Sequence, residues 1–302
     1  MLSADGGFYT DFVPSSTKRA VSRAYHAIMD IFKTQPRLHN GIYRALDHRP
    51  KVPLAQSSNF WPITAHLYEP LWRKRSISLL TNGEFSVEQE LELMLEWLQP
   101  KPQQRILDVA CSAGLYTRTL LKHQALELHG LDFSLPFLQK AQLYAERDQV
   151  SMILVQADVN GLPYQDEVFD QIVCGGSLNE FLDVPQALAE FTRVLKPGGK
   201  MWQMYLSHAD ANLGKIIQGM LRLSGIRFID LLQLEIQTAK VGLTLVKTQH
   251  YKPVILALYQ KPDRSNVRLS SVMSNSPEAL DTLTKATSSL SATGLSSNDL
   301  PS

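Results

Sequence analysis

Arg105-Ile-Leu-Asp-Val-Ala-Cys-Ser-Ala-Gly-Leu-Tyr-Thr117 is the stretch that decides how this chain of 302 residues folds. An apolar strand ends in a carboxylate at Asp108, turns through small residues to Gly114, and runs straight into a helix. Such a strand–turn–helix unit brings backbone N–H groups and a helix N-terminus up to a ligand. The carboxylate at the start of the turn would repel a pyrophosphate and suits a ligand with cationic or hydroxyl groups. A nicotinamide-binding unit is disfavoured too, because no G-x-G-x-x-G occurs in this turn.

Outward from this unit the pattern alternates. Ser86 can cap a helix over 87–98, with Glu90 near its first turn, and prolines at 100 and 102 separate it from the strand at 105–109. Helix 115–123, strand 126–131, helix 136–147, strand 152–156 and strand 169–174 follow, the last around the apolar Ile-Val-Cys. Asp183 and Pro185 open a further helix whose stripe is Leu188, Phe191, Val194 and Leu195. Lys196-Pro-Gly-Gly199 breaks it before a strand at 201–206. After an amphipathic insertion (Leu213, Ile216, Ile217, Met220, Leu221) come helix 228–241, stopped by Gly242, and strands 243–250 and 254–260. The link through Pro253 is too short for a parallel crossover, so the last two strands pair as an antiparallel hairpin. The fold class expected is α/β: a Rossmann-like, mostly parallel seven-stranded sheet with an antiparallel terminal hairpin and helices on both faces.

Three zones result. Residues 1–84 are expected to form a helical extension and substrate-side cap, with an amphipathic helix over 16–32 capped by Ser16. Residues 85–261 form the alternating domain, and 262–302 a disordered Ser/Thr-rich tail with a transient helix near 277–286. A net charge of +1 argues against a nucleic-acid binder, and no apolar run reaches the length of about 18 residues that spans a membrane. Peripheral membrane contact through the amphipathic helix stays open. Two cysteines, Cys111 and Cys174, and no apolar leader suggest a cytoplasmic protein in a reducing compartment.

Beyond the opening turn, several signatures stand in order. Leu131-Asp-Phe-Ser134 ends the second strand, Ala157-Asp-Val159 follows the third, Asp166-Glu-Val-Phe-Asp170 leads into the fourth, and Leu195-Lys-Pro-Gly-Gly199 precedes the fifth. In this order they resemble the motifs of class I S-adenosylmethionine (SAM)-dependent methyltransferases of the small-molecule type, including ubiquinone/menaquinone-type domain proteins. The resemblance implies SAM as cofactor. It implies a pocket of Asp108, Ala110, Cys111, Ser112 and Gly114 for the methionine end, with Asp132 and Phe133 at the ribose. Ala157, Asp158 and Val159 would lie at the adenine, and Gly175 at the end of the fourth strand. The sequence departs from the family at Ala110 and Ser112, where glycine is usual. Glycine there permits unusual φ and close approach of a ligand.

The function this implies is methyl transfer to a small, partly apolar acceptor such as a quinone, phenol, lipid-like molecule or other secondary metabolite. The alternative is a non-catalytic interaction protein on the same fold, with an altered cofactor turn. Nucleic-acid amino-methylation is disfavoured, because Gly175-Gly-Ser-Leu-Asn-Glu180 replaces the expected Asn/Asp-Pro-Pro-aromatic tetrapeptide. Methyl transfer needs mainly positioning, and a base only if the acceptor must lose a proton. Ligands meet the carboxyl ends of the strands in this fold. That nominates Glu180 and His208 as catalytic residues, with Asn179 and Tyr116 beside them. Trp61, His66, Tyr68 and Trp72 could complete an apolar roof, and residues 73–75 could steer an anionic acceptor. Cys111 and Cys174, at neighbouring strand ends, read first as small buried residues, with a redox-sensitive pair as the alternative. No metal site is expected, and the sequence leaves the oligomeric state open.

Overall fold

The two-residue turn Asn40–Gly41 introduces a feature absent from the expected topology. Both residues have left-handed backbone, φ +50° and +77°, as the tight hairpin turn between strands requires. They join β1 (Arg37–His39) to β2 (Ile42–Arg44), and β2 lies parallel against β5 (Ile153–Gln156). The computed structural model describes residues 26–46, 77–78, 80–124, 126–208, 218, 222, 226–251 and 253–264. The residues named above in the insertion, in the aromatic run and at 73–75 lie outside these. So do the amphipathic stretch before residue 26 and the tail beyond 264.

All seven expected strands form. They are β3 (Arg105–Val109), β4 (Glu127–Asp132), β5, β6 (Phe169–Gly175), β7 (Leu195–Leu206), β8 (Thr244–Tyr251) and β9 (Val254–Gln260). Among the described residues the sheet has, with the hairpin, nine strands, in the order β1-β2-β5-β4-β3-β6-β7-β9-β8. Six neighbours from β2 to β7 run parallel, and β9 and β8 close the far side antiparallel. The count of seven is thus corrected to nine, and residues 37–44 of the extension are strand rather than helix. The helix expected over 16–32 also ends early: residues 26–29 are helical, while Phe32 bridges to Tyr164.

The helices are α1 (Val87–Leu98), α2 (Leu115–His123), α3 (Leu135–Arg147), α4 (Val184–Val194) and α5 (Leu231–Lys240). Ser86 and Gln89 form a capping box on α1, and Ser134, Asp183 and Asp230 cap α3, α4 and α5. Successive strand residues alternate between faces, which is why Ile106, Val173 and Trp202 pack with α1 and α2 while Leu107, Ile172 and Met201 pack with α4 and α5. α3 covers Ile42 and Leu154. The order of strands reverses between β3 and β6, and this switch point fixes where a ligand crevice opens.

Candidate functional site at the carboxyl ends of the strands

The turn between β3 and α2 keeps the backbone of a glycine turn without its glycines. Ala110, Ser112 and Gly114 all lie in the left-handed region, at φ +52°, +49° and +76°. That conformation costs an L-residue with a Cβ about 1–2 kcal/mol, so Ala110 and Ser112 hold real strain. Three amides brace it: Ser112 N–H donates to the Asp132 carboxylate (2.9 Å), Cys111 N–H to Leu131 O (2.9 Å) and Gly114 N–H to Cys111 O (2.8 Å).

Asp132, at the end of β4, is where these loops meet. One carboxylate oxygen accepts from Ser112, the other from Ser134 N–H at 2.8 Å, and its main-chain carbonyl accepts from Ala157 N–H at 3.2 Å. Burial pushes its carboxyl up to about 6, against the amides of Ser134, Ser112 and Phe133 that pull it down. The Phe133 carbonyl accepts from Gln156 Nε2 at 3.1 Å, tying the end of β4 to that of β5. Asp108, buried at the end of β3, takes Thr117 N–H (3.1 Å) and Thr117 Oγ1–H (2.6 Å) and so fixes the first turn of α2. Asp158 is half-buried and accepts from Asn160 N–H (2.9 Å) in a turn that its own side chain shapes; Val159 beside it is buried. Three carboxylates thus stand at or just beyond the carboxyl ends of three adjacent strands.

Other expected residues take different roles. The Cys111 thiol packs over Gly130, where an added Cβ would lie 3.1 Å from Sγ. Burial, then Asp108 and Asp132, push that thiol well up, and burial with Asp108 pushes Cys174 up to about 12. Both cysteines are free and buried, and their raised thiols are the opposite of reactive thiolates, in line with the reading as small buried residues rather than a redox pair. Tyr116 packs toward α1. It is buried, its hydroxyl donates to buried Glu90 of α1, and its ring fills the place beside Gly175, where a Cβ would meet it at 2.3 Å.

On the other side of the switch point, Glu180 is half-buried at the end of the short 3-10 turn Leu178–Glu180 that follows β6. His208 is exposed after β7, with Nδ1 3.4 Å from Arg222 and its ring 6.3 Å from that of Phe228. Asn179 is a scaffold residue, 1% exposed, with its amide fully engaged by backbone. The sequence reading missed the partners of these carboxylates: Thr117, in the first turn of α2, for Asp108, and the amide of Ser134, the cap of α3, for Asp132.

Comparison with known proteins agrees with this geometry. Residues 107–202 match a family model described as a methyltransferase domain. The ubiquinone/menaquinone biosynthesis C-methyltransferase of Ruegeria sp. is 34% identical over 122 residues, 38% of this chain and 48% of that protein. The demethylmenaquinone methyltransferase of Lactiplantibacillus plantarum is 37% identical over 114 residues, 36% of this chain and 48% of that protein. The chain therefore spans about half the length of these curated relatives. Among solved structures, the [4+2]-cyclase SpnF superposes with a TM-score of 0.55 at 18% identity, covering 72% of this chain and all (100%) of that one, which shows a shared fold.

Proposed function

We propose that this chain, which carries a class I SAM-dependent methyltransferase domain, transfers a methyl group from SAM to a small, partly apolar acceptor, quinols and phenols first among candidates. The observation that carries the reading is the strained turn at 110–114, locked onto Asp132 among three strand-end carboxylates. Strain kept in a loop at the carboxyl ends of the strands, where sheets of this kind meet their ligands, supports a working site.

The donor set fits the cofactor of this domain. SAM carries a sulfonium and an ammonium against one carboxylate, so strand ends that carry Asp108, Asp132 and Asp158 attract it. Asp132 accepts Ser112 N–H on one oxygen and Ser134 N–H on the other, and the same carboxylate would accept from the vicinal ribose hydroxyls. Asp158 would take the adenine amino group, and the turn would hold the methionine end. Bound there, SAM supplies a methyl group on sulfur, open to in-line displacement. On the acceptor side Glu180 is the better candidate base, because it is half-buried while His208 is exposed beside Arg222. The cytoplasm is the compartment proposed, and among the described residues no helix is long and apolar enough to cross a membrane.

One observation favours a second reading. Ala110 and Ser112 place Cβ atoms where the family has none, which would suit a domain that kept the fold and binds a partner instead. The deciding experiment is transfer of a labelled methyl group from SAM to 1,4-naphthoquinol and to simple phenols. Labelled product supports the enzyme. SAM binding without transfer to any acceptor leaves the cofactor site and rejects this acceptor class, and absence of both favours the partner-binding protein.

A further inference from the structure

β6 stops pairing with β7 at Gly175, opposite Met204, yet β7 continues to Leu206. The edge of β7 beyond that point needs a donor and an acceptor, and a side chain provides them. Asn179 Nδ2 donates to Leu206 O at 2.7 Å, while Asn179 Oδ1 accepts from Leu206 N–H at 2.8 Å. The amide of the side chain thus replaces the peptide group that β6 no longer offers.

The second Nδ2 hydrogen goes to Arg227 O at 2.6 Å, and Arg227 N–H returns to the Asn179 carbonyl at 2.8 Å. Ile229 N–H then joins Leu206 O at 3.0 Å, and Ser207 bridges to Ile229. Both donors and an acceptor of one buried amide therefore join three segments. They are the turn that carries Glu180, the end of β7 that leads to His208, and the stretch before α5 that carries Phe228. None of these bonds reaches the loops of Asp108, Asp132 or Asp158.

We propose that Asn179 is the positioning residue of the acceptor half of the site: its amide sets Glu180, His208 and Phe228 relative to one another, independently of the cofactor half. This rests on the function proposed above, since it names what holds the acceptor side of that same site. Asparagine is needed because two carbonyls and one N–H must be met at once from a single short side chain. Aspartate offers no donor and would set a carboxylate against two carbonyl oxygens.

The test compares wild type with Asn179→Asp and Asn179→Ser, the serine keeping a hydroxyl in case the aspartate does not fold. Three readouts are taken: calorimetry with S-adenosylhomocysteine, the kcat and KM of methyl transfer to 1,4-naphthoquinol, and hydrogen exchange by mass spectrometry. The expected result is S-adenosylhomocysteine affinity within about twofold of wild type, a tenfold or larger fall in kcat with a raised KM for the quinol, and an unchanged KM for SAM. Exchange should quicken in 178–181, 206–208 and 226–229 while 105–114 and 127–134 stay as protected as before. Loss of cofactor affinity in step with activity, or quickened exchange in both halves, would overturn the proposal. So would unchanged kinetics and exchange. If wild type itself neither binds S-adenosylhomocysteine nor transfers methyl groups, the proposed function fails, and the exchange pattern alone still decides whether Asn179 holds one half separately.

Discussion

The carboxylates at the two ends of this sheet are treated in opposite ways. At the amino ends of the strands they meet cations. Arg105 grips Glu127 with two bonds of 2.5 and 3.1 Å, Asp170 takes Arg105 N–H and Lys196 Nζ at 2.8 and 2.7 Å, and Arg193 joins Asp166 to Glu190. At the carboxyl ends, Asp132 takes the amides of Ser112 and Ser134, and Asp108 takes the amide and hydroxyl of Thr117. Dipoles hold these carboxylates in place without cancelling their charge. One end pairs its carboxylates with cations, and the other keeps a negative field, which on the function proposed above favours a ligand that brings a positive charge.

The two ends also titrate in opposite directions. Burial would raise Glu127, but hydrogen bonds from His129 and Arg105 outweigh it and hold its carboxyl at about 2. Burial wins at Asp132, pushed up to about 6. A lowered carboxyl gives stability that is present above its ordinary value of 4.5 and fades as pH falls toward 2. A raised carboxyl does the reverse: Asp132 penalises the folded state above about pH 6, and the penalty eases as pH falls toward 3.8.

The largest effect should come from Asp132→Ala, which removes the anchor of three loops and two hydroxyl acceptors. SAM affinity is expected to fall about 100-fold or more, in line with roughly 1.5–3 kcal/mol for each bond to a charged group. Calorimetry checks it, and normal binding by this variant would break the comparison. Next, affinity of the wild type for SAM should weaken about tenfold per pH unit below 6, as Asp132 gains a proton. Constant affinity between pH 7.5 and 5 would mean that its charge is not used.

At the amino end, Glu127→Gln should lower stability by only about 1–2 kcal/mol, discounted because the side chain is 35% exposed. Urea denaturation at pH 7 checks this, and SAM affinity should not move. The smallest effect is expected for Ala110→Gly, which relieves left-handed strain and should raise stability by up to about 1 kcal/mol with equal or tighter SAM binding. A weaker site in that variant would show that the Cβ makes a contact the ligand needs.

Most of the sheet was legible because hydrophobic runs, caps and breaks agreed at each step: α1, α2, β3 and β9 stand at the expected residues. The hairpin β1–β2 was not, although Asn40-Gly41 is a strong turn signal. Its strands are three residues each, β1 is exposed, and only the pairing of β2 with β5 gives them reason to form. Within the site, the carboxylates were legible as strand-end residues. The partners of Tyr116 and Asn179 were not legible because they are distant in sequence: Glu90 and Gly175 for one, Leu206 and Arg227 for the other. The sequence shows which residues stand at a strand end, but not which way a side chain turns once the neighbouring elements pack.

The central claim is that a turn with alanine and serine in left-handed positions still serves a SAM site. Calorimetry of the wild-type chain with SAM and S-adenosylhomocysteine, paired with the melting temperature, tests it most directly. Saturable binding of both ligands and a rise in melting temperature are expected, since ligand at about 100 times its Kd stabilises by roughly 2.7 kcal/mol. No heat and no shift with either ligand at millimolar concentration would contradict it: the Cβ atoms of Ala110 and Ser112 would then close the turn rather than line it.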